Sequence, residues 1–262
     1  MVANKHPFKR EVTHTEYKHE DKKVKKGGWS RIIQNHITEN HLSMKEEWVY
    51  KKGIFTELND LYGIRKLDPK TLPIMVGGFF LILLCFYLFI YFDSFVESEP
   101  ISSFELILGI FFLLGFIFFA IYYFTMPQKE CILNRTDGLI TFPGFMWRAN
   151  ITMPIEKVLF SRSVPSAQGV GSHQLEIIRP DKSYSLYLFS MGNTCYQDLS
   201  FFLWYMDKNR PLPPGTAFDP YRNADYERRK AAGFPKPMFP ASFETLEATP
   251  EQQAERNRIG GW

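Results

Sequence analysis

Two long stretches of the chain contain no charged side chain. They are Pro73–Phe92 (PIMVGGFFLILLCFYLFIYF) and Leu106–Met126 (LILGIFFLLGFIFFAIYYFTM). Each is close to the ~20 residues that an α-helix needs to cross the hydrocarbon core of a bilayer. Because a soluble protein rarely contains two such helices in succession, the sequence predicts a two-helix transmembrane hairpin over residues 73–126. The absence of charge inside both stretches also argues against an ion or substrate path through them.

The connector between these stretches, residues 93–105, contains no lysine or arginine but four acidic residues. Basic residues instead lie beside the outer ends of the stretches: Arg65, Lys66 and Lys70 before the first, and Lys129 after the second. Lysine and arginine near span ends are retained on the cytoplasmic side. We therefore expect both termini in the cytoplasm. The N-terminal region also lacks the early apolar segment of a cleavable signal peptide, so we expect the first span to be an uncleaved anchor.

Cysteine is scarce, and recognisable catalytic motifs are absent. The three cysteines, Cys85, Cys131 and Cys195, are far apart in the sequence, which argues against a disulfide framework or a zinc site. The chain has no glycine-rich phosphate loop and no Gly-x-Ser-x-Gly element. These absences predict a protein that is not an enzyme and that has no cofactor, no metal and no nucleic-acid partner.

A membrane enzyme is a weaker alternative. His173 is the only histidine after the second apolar stretch. It could act with Asp181 or Asp198, but their spacing indicates no known catalytic arrangement. A position on the surface or at a strand edge is the simpler interpretation of His173.

The first 28 residues are polar and rich in lysine. Their apolar content is too low for them to order themselves, so the sequence predicts a disordered basic arm over residues 1–28. One interpretation is that this arm lies on anionic lipid, and the other is a solvated tail that only reinforces the topology. The candidate lipid-contacting residues are Lys22, Lys23, Lys25 and Lys26.

Residues 29–72 are expected to form an N-terminal cytoplasmic segment. A short helix that begins near Ser30 would place several apolar side chains on one side, namely Trp29, Ile32, Ile33 and Ile37. The aromatic and basic stretch Glu47–Phe55 is either a strand that joins the later domain or an element at the membrane interface.

Short β segments followed by one helix are predicted for residues 127–208. An Asp-Gly pair at 137–138 is a strong hairpin signal between the first two strands. A helix over Thr194–Lys208 follows from apolar residues at positions 199, 202, 203 and 206. The predicted strands are Cys131–Asn134, Leu139–Phe142, Asn150–Met153, Lys157–Ser163, His173–Ile178 and Tyr184–Phe189. The expected fold class is a membrane α-helical hairpin plus a cytoplasmic α+β domain, in which one C-terminal helix caps a small antiparallel, pleckstrin-homology-like sheet.

The predicted helix carries aromatic side chains on more than one face, so it needs a second partner besides the sheet. That partner is the N-terminal segment, the bilayer surface or another protein. Residues 209–262 hold eight of the 17 prolines, and they predict an extended tail that grips a folded surface, with a short helix at Asn223–Ala232. The candidate partner-binding residues are Phe201, Trp204, Tyr205, Phe218, Tyr221 and Trp262.

Five local features of the sequence are distinctive. An Asn-Arg-x-x-Gly turn at residues 134–138 is followed by Trp147 and by Val158-Leu159-Phe160. The tail contains NRPLPPGTAFDPYR at residues 209–222 and IGGW at 259–262. Over residues 40–262 the chain resembles an uncharacterised family of bacterial two-span membrane proteins that often lie near genes for type VI secretion effectors. The resemblance implies the bacterial inner membrane and a link to interbacterial competition, and it brings no catalytic residues.

These observations favour an inner-membrane-anchored protein-binding module. With the resemblance, the expected role is an immunity or effector-handling accessory protein whose partners are the lipid bilayer and a secretion effector or apparatus component. The alternative is a membrane-inserting, permeabilising effector, although purely apolar spans offer no polar face to line a pore. Homo-oligomers are a further expectation, because several glycines in the spans would allow close helix approach: Gly77, Gly78, Gly109 and Gly115.

Overall fold

The structure, a computed structural model, describes residues 9–17, 36–37, 40–45, 47, 54–96, 102–163, 173–181, 186–192 and 194–262. The chain divides into two compact units. The first, here called the α+β unit, comprises Met1–Lys66, Glu130–Pro143 and Asn150–Trp262. The second, here called the helical unit, comprises Leu67–Lys129 and Gly144–Ala149. The fold is therefore a mixed α+β fold with a separate pair of long helices.

The helical unit is built from α1 (Thr71–Val96) and α2 (Ser103–Thr125). Both helices are long and apolar enough to cross a membrane, and few of their side chains are buried within the protein. The two helices approach closely where an aromatic ring lies over a glycine. A Cβ added at Gly109 would lie 2.6 Å from Cζ of Tyr87, and the ring of Phe80 covers Gly115 in the same way. These glycines pack within one chain.

A five-stranded antiparallel sheet contains, in this order, β2 (Phe55–Leu58), β3 (Tyr62–Arg65), β4 (Ile132–Asn134), β5 (Leu139–Phe142) and β6 (Ile151–Pro154). A turn joins β4 to β5, with Asn134 Oδ1 accepting the Asp137 N–H at 3.0 Å and Gly138 at φ +68°, a left-handed conformation that suits glycine. The hairpin predicted from Asp-Gly is thus confirmed.

The strand β3 pairs with β4, with Gly63 opposite Leu133, although the whole helical hairpin separates them in the sequence. The segments Phe55–Leu58 and Tyr62–Arg65 of the N-terminal segment therefore belong to this sheet. Of the stretch Glu47–Phe55, for which a strand and an interfacial element were the alternatives, the structure describes only Glu47, Ile54 and Phe55. Only its end belongs to β2, and most of it lies outside the described residues.

The four-stranded antiparallel sheet has the order β1-β7-β8-β9. Its strands are β1 (His36–Ile37), β7 (Phe160–Arg162), β8 (Leu175–Ile178) and β9 (Leu186–Leu188). The second predicted hairpin is confirmed, since Ile177 pairs with Tyr187. A 3-10 turn, Ile155–Lys157, precedes β7, so the predicted strand at Lys157–Ser163 begins too early. The helix expected near Ser30 is wrong at His36–Ile37, and its other residues lie outside the described ranges.

The helix α3 (Cys195–Met206) confirms the predicted helix and lies on the core of the α+β unit. The Phe202 ring contacts Phe160 and Phe189 at centroid distances of 5.4 and 4.8 Å. Leu199, Phe202 and Leu203 are all buried, so the apolar stripe read from the sequence is the face that packs on the sheet.

The region 209–262 is folded rather than extended. It contains a 3-10 turn (Asp219–Tyr221), α4 (Arg222–Ala231) and α5 (Pro250–Gly260). The prediction of a Pro-rich extended tail is therefore wrong for these segments, while the short helix expected at Asn223–Ala232 is confirmed as α4. Proline content alone does not exclude a helix, because proline is tolerated at the first helical position, where its missing N–H has no cost. Pro250 occupies that position in α5, and Thr249 Oγ1 caps this helix by accepting the Gln252 N–H.

Part of the N-terminal arm also contacts the α+β unit. Tyr17 Oη donates to the Ile178 carbonyl at 2.8 Å and accepts the Leu159 N–H at 2.9 Å. The Thr13 N–H donates to the Thr152 carbonyl at 3.0 Å. The expectation of a disordered arm is therefore wrong for residues 9–17. The candidate lipid-contacting residues Lys22, Lys23, Lys25 and Lys26 lie outside the described residues.

Candidate partner-binding cleft

Arg135, in the turn between β4 and β5, forms hydrogen bonds that connect this turn to the end of α3 and to the C-terminal region. Its side chain is fully buried. Nη1 donates to the carbonyls of Tyr205 and Asp207, both at 2.6 Å. Nη2 donates to the Arg210 carbonyl at 2.6 Å and to Asp225 Oδ1 at 3.1 Å. A cation at this point satisfies carbonyls that a helix C-terminus leaves without partners, and it favours the negative end of the helix dipole.

Asp225, on α4, joins three arginines. It accepts hydrogen bonds from Arg135, from Arg228 at 2.7 Å and from Arg229 at 2.8 Å. Burial raises the pKa of Asp225, but the three guanidinium groups outweigh burial and hold its pKa below the ordinary value of 3.8. Because the carboxylate is only 1% exposed, it stays charged in the interior through these three partners.

Glu247 continues this network to α5. It accepts two hydrogen bonds from Arg229, both at 2.7 Å, and one from Arg256 at 3.1 Å. Arg256 also donates to the Thr245 carbonyl at 2.8 Å. These buried pairs connect α4, the segment before α5 and α5 itself. Removing one partner of a buried pair is costly because it leaves an uncompensated charge.

Asp207 and Arg210 hold the coil between α4 and α5. Asp207 Oδ2 accepts from Arg210 Nε at 3.0 Å and from the N–H groups of Met238 and Phe239. Burial raises the pKa of Asp207, against the opposing effect of Arg210 and of the Phe239 and Asn209 N–H groups. Arg210 in turn donates to Thr245 Oγ1 at 3.1 Å and to the Phe239 carbonyl. The path of residues 236–246 is therefore determined by polar contacts.

Four of the six aromatic side chains predicted to bind a partner instead contact residues inside the α+β unit. The rings of Phe201, Tyr205 and Phe218 stack on one another, with centroids 5.7–6.3 Å apart. Trp204 donates to the Pro211 carbonyl and packs on Phe243. Trp204, Tyr205 and Phe218 are buried, and Phe201 and Tyr221 are half-buried. The other faces of α3 thus contact the chain's own C-terminal region. The predicted N-terminal segment contacts α3 as well, since the Ser43 and Met44 N–H groups donate to Ser200 Oγ and Tyr205 Oη donates to the Asn59 carbonyl.

Trp262 is half-buried and lies at a cleft. Its indole N–H donates to the Phe234 carbonyl at 2.8 Å, and its ring lies 4.2 Å from the guanidinium carbon of Arg256. The cleft has a volume of about 580 Å³. Its main lining residues are Arg210, Phe243, Thr245, Leu246, Arg256 and Trp262.

This cleft combines two aromatic rings with polar groups held at fixed positions. Arg210 and Arg256 are 5% and 3% exposed, and the ion pairs described above fix their guanidinium groups. Leu246, at the rim, is 53% exposed. Binding sites typically combine apolar walls with a few positioned polar groups. The arrangement is suited to non-covalent binding of a side chain or short peptide segment.

The structure brings together no catalytic set from the residues that the sequence singled out. His173 Nδ1 lies 2.8 Å from the Ser163 carbonyl, and Asp198 accepts from the Met191 N–H. Burial raises the pKa of Cys131 and of Cys195 to about 11, so both thiols stay protonated near neutral pH. Among the described residues, no group of three or more His, Cys, Asp or Glu side chains could hold a metal ion.

Comparison with known proteins adds no relative: no protein-family model, curated protein or solved structure matches the chain.

Proposed function

We propose that this protein is a membrane-anchored protein-binding module. The observation that carries the proposal is the position of the two apolar helices in the chain. They interrupt it between β3 and β4, two strands that pair in one sheet. Short connections, residues 66–70 and 126–131, link these strands to the helices. In this proposal α1 and α2 span the bacterial inner membrane, and the α+β unit is tethered to its cytoplasmic surface by two covalent links.

The distribution of basic residues supports the cytoplasmic orientation. Lys66 and Lys70 precede α1 and Lys129 follows α2, at the two ends that connect to the α+β unit. Such residues are retained on the cytoplasmic side of bacterial membranes. The order of strands supports a pleckstrin-homology-like arrangement, in which two antiparallel sheets are followed by one capping helix, here α3.

The cleft beside Trp262 supports the binding function. Its polar groups are fixed by buried ion pairs before any ligand arrives, which lowers the ordering cost of binding. The exposed Leu246 at its rim and the aromatic rings of Phe243 and Trp262 offer apolar contacts. The proposed ligand is a segment of a protein partner, because a positioned guanidinium group beside an aromatic ring suits backbone carbonyls and apolar side chains together.

For the partner, we propose a type VI secretion effector or apparatus component, with the chain acting as an immunity or effector-handling accessory protein. The family resemblance supports this narrower role. A toxin that acts in the membrane or the cytoplasm would suit a protein whose binding unit faces the cytoplasm.

The test is affinity purification of the full-length protein from its native membranes, compared with two matched variants. Leu246→Glu places a charge at the cleft rim, whereas Leu188→Glu places one on β9, where Leu188 is 49% exposed. We expect one partner in stoichiometric amounts with the wild type and with Leu188→Glu, and its loss with Leu246→Glu. A partner retained equally by both variants would place binding elsewhere, and recovery of no partner would contradict the proposal.

Co-expression then distinguishes the narrower roles. An immunity protein relieves the toxicity of the recovered partner, and Leu246→Glu abolishes that relief. Toxicity of the chain itself, relieved by a neighbouring gene product, would instead favour a permeabilising effector.

A further inference from the structure

The loop between β5 and β6, residues 144–149 (GFMWRA), belongs to the helical unit although both strands belong to the α+β unit. Trp147 attaches it to α2. Its indole N–H donates to Thr125 Oγ1 at 2.7 Å, and its ring packs edge-on against Tyr122 and Phe118 at 4.9 and 5.5 Å. The loop therefore lies against the last two turns of α2.

Lys129, in the segment that follows α2, makes hydrogen bonds to two carbonyls of the same loop. Its Nζ donates to the Gly144 carbonyl at 2.9 Å and to the Arg148 carbonyl at 2.6 Å. The Arg148 N–H donates to the Phe145 carbonyl at 2.9 Å, which forms a tight turn. A Cβ at Gly144 would clash with the Ala149 carbonyl oxygen, so this conformation requires glycine. The loop is thus held in one shape by at least four polar contacts.

Two large aromatic side chains of this loop are exposed. Phe145 is 44% exposed and Trp147 is 41% exposed. Phe124, near the end of α2, is 82% exposed. Exposed aromatic residues are costly in water. Tryptophan is enriched where a span leaves the hydrocarbon core, because its ring is apolar and its N–H is polar, and lysine reaches the head groups at the same level.

We propose that residues 144–149 form an interfacial anchor, which lies among the lipid head groups beside the end of α2 and fixes the depth of the helix pair. The ligand is the bilayer surface, with Phe145 and Trp147 entering the boundary between head groups and acyl chains. This anchor rests on the proposed membrane insertion of α1 and α2. It adds a third membrane contact that is not a transmembrane segment.

The experiment measures the depth of a fluorescent label in the full-length protein, labelled in detergent and reconstituted into phosphatidylcholine/phosphatidylglycerol vesicles. The label is attached at Phe145→Cys in a Cys85→Ser background. Burial of Cys131 and Cys195 raises the pKa of both thiols to about 11, so both should react far more slowly with the label than an exposed cysteine. Native Cys85, exposed on α1, labels the membrane interior in an otherwise unchanged chain. Glu156→Cys, also with Cys85→Ser, labels an exposed turn of the α+β unit and is the aqueous control.

The anchor predicts that the label at Phe145→Cys is quenched most by nitroxide near the lipid head groups and far less than the Glu156→Cys label by iodide in water. Equal iodide quenching at these two positions, together with a Cys85 label that iodide does not reach, would contradict the proposed anchor. That result would still agree with the membrane insertion of α1 and α2. If the Cys85 label were also quenched by iodide, the membrane insertion would fail, and the anchor with it.

A second substitution tests the role of Trp147. In the labelled Phe145→Cys chain, Trp147→Ala removes the contacts to α2 and should raise iodide quenching of the label. Phe124→Ala removes a more exposed aromatic residue of α2, 82% against 41%, whose ring packs on Tyr123, and it should leave the quenching unchanged. Equal effects of the two substitutions would contradict the proposed attachment.

Discussion

The helical unit and the C-terminal region of the α+β unit are stabilised in opposite ways. The helices α1 and α2 are almost wholly apolar and turn most of their side chains outward, with only a few residues such as Gly109 and Tyr122 buried on α2. Residues 209–262 are much more polar, yet they bury Arg210, Asp225 and Arg229. Apolar side chains face outward in one region, and charged side chains face inward in the other.

The difference shows that each region needs a particular environment. The outward apolar surface of α1 and α2 is stable where lipid replaces water. The inward charges of the C-terminal region are stable only while each has its partner, because a buried charge without one costs several kcal/mol. A disturbance in one region should therefore leave the other intact, and the following substitutions test that independence.

The largest effect is expected from Arg135→Ala. Loss of the Arg135 guanidinium group removes the donor shared by four acceptors. These are the carbonyls of Tyr205, Asp207 and Arg210 and the carboxylate of Asp225. Removal of one partner of a buried pair destabilises by about 3–5 kcal/mol. The free energy of unfolding of the α+β unit, measured by denaturant titration in detergent, should fall by this amount. Arg258→Ala is the matched control, since Arg258 is 75% exposed and such pairs contribute about 0–1 kcal/mol. Equal effects of the two substitutions would contradict the network.

Asp225→Asn tests the charge itself through pH. The folded-state pKa of Asp225 is lower than its ordinary value of 3.8, so its stabilising contribution is fully present above that value and is lost as pH falls through the folded-state pKa. The wild type should therefore exceed Asp225→Asn in unfolding free energy at neutral pH, and the difference should shrink in acid. A difference that stays constant into strong acid would mean that the carboxylate contributes no charge-dependent stability.

A smaller effect, confined to the helical unit, is expected from Gly109→Leu. A side chain at this position must displace the ring of Tyr87, whose Cζ would lie 2.6 Å from the new Cβ. Overpacking of this kind costs about 1–3 kcal/mol. Gly78→Leu is the control, because no atom lies within 4 Å of a Cβ there. Disulfide cross-linking of cysteines placed on α1 and α2 should slow in Gly109→Leu only, and the stability of the α+β unit should not change. Loss of stability in both units would show that they are coupled.

The apolar helices and the hairpin at Asp137-Gly138 could be predicted because their signals are local. An uncharged run and a turn dipeptide each act within a few residues. The apolar stripe of α3 is also a local signal, because its residues are three or four positions apart. It predicts which face of the helix packs on the sheet. These are the elements in which propensity, pattern and packing agree.

The rest depended on contacts that are distant in the sequence. Arg135 bonds Asp225 across 90 residues, and β3 reaches β4 only across the helical hairpin. Proline content suggested an extended tail, since no apolar pattern indicated that charges would form the interior. One local signal was present: Asp225 precedes Arg228 and Arg229 by three and four residues, the spacing of a helix held by ion pairs. It predicts α4 but not its burial.

Hydrogen–deuterium exchange of the wild type and Arg135→Ala in lipid nanodiscs tests the central comparison most directly. In the wild type, we expect protection of residues 71–96 and 103–125 by lipid and of residues 222–231 and 250–260 by the buried network. Arg135→Ala should increase exchange in the latter two segments and leave the first two unchanged. Rapid exchange of residues 222–231 and 250–260 in the wild type, or a parallel loss of protection in all four segments, would contradict the account.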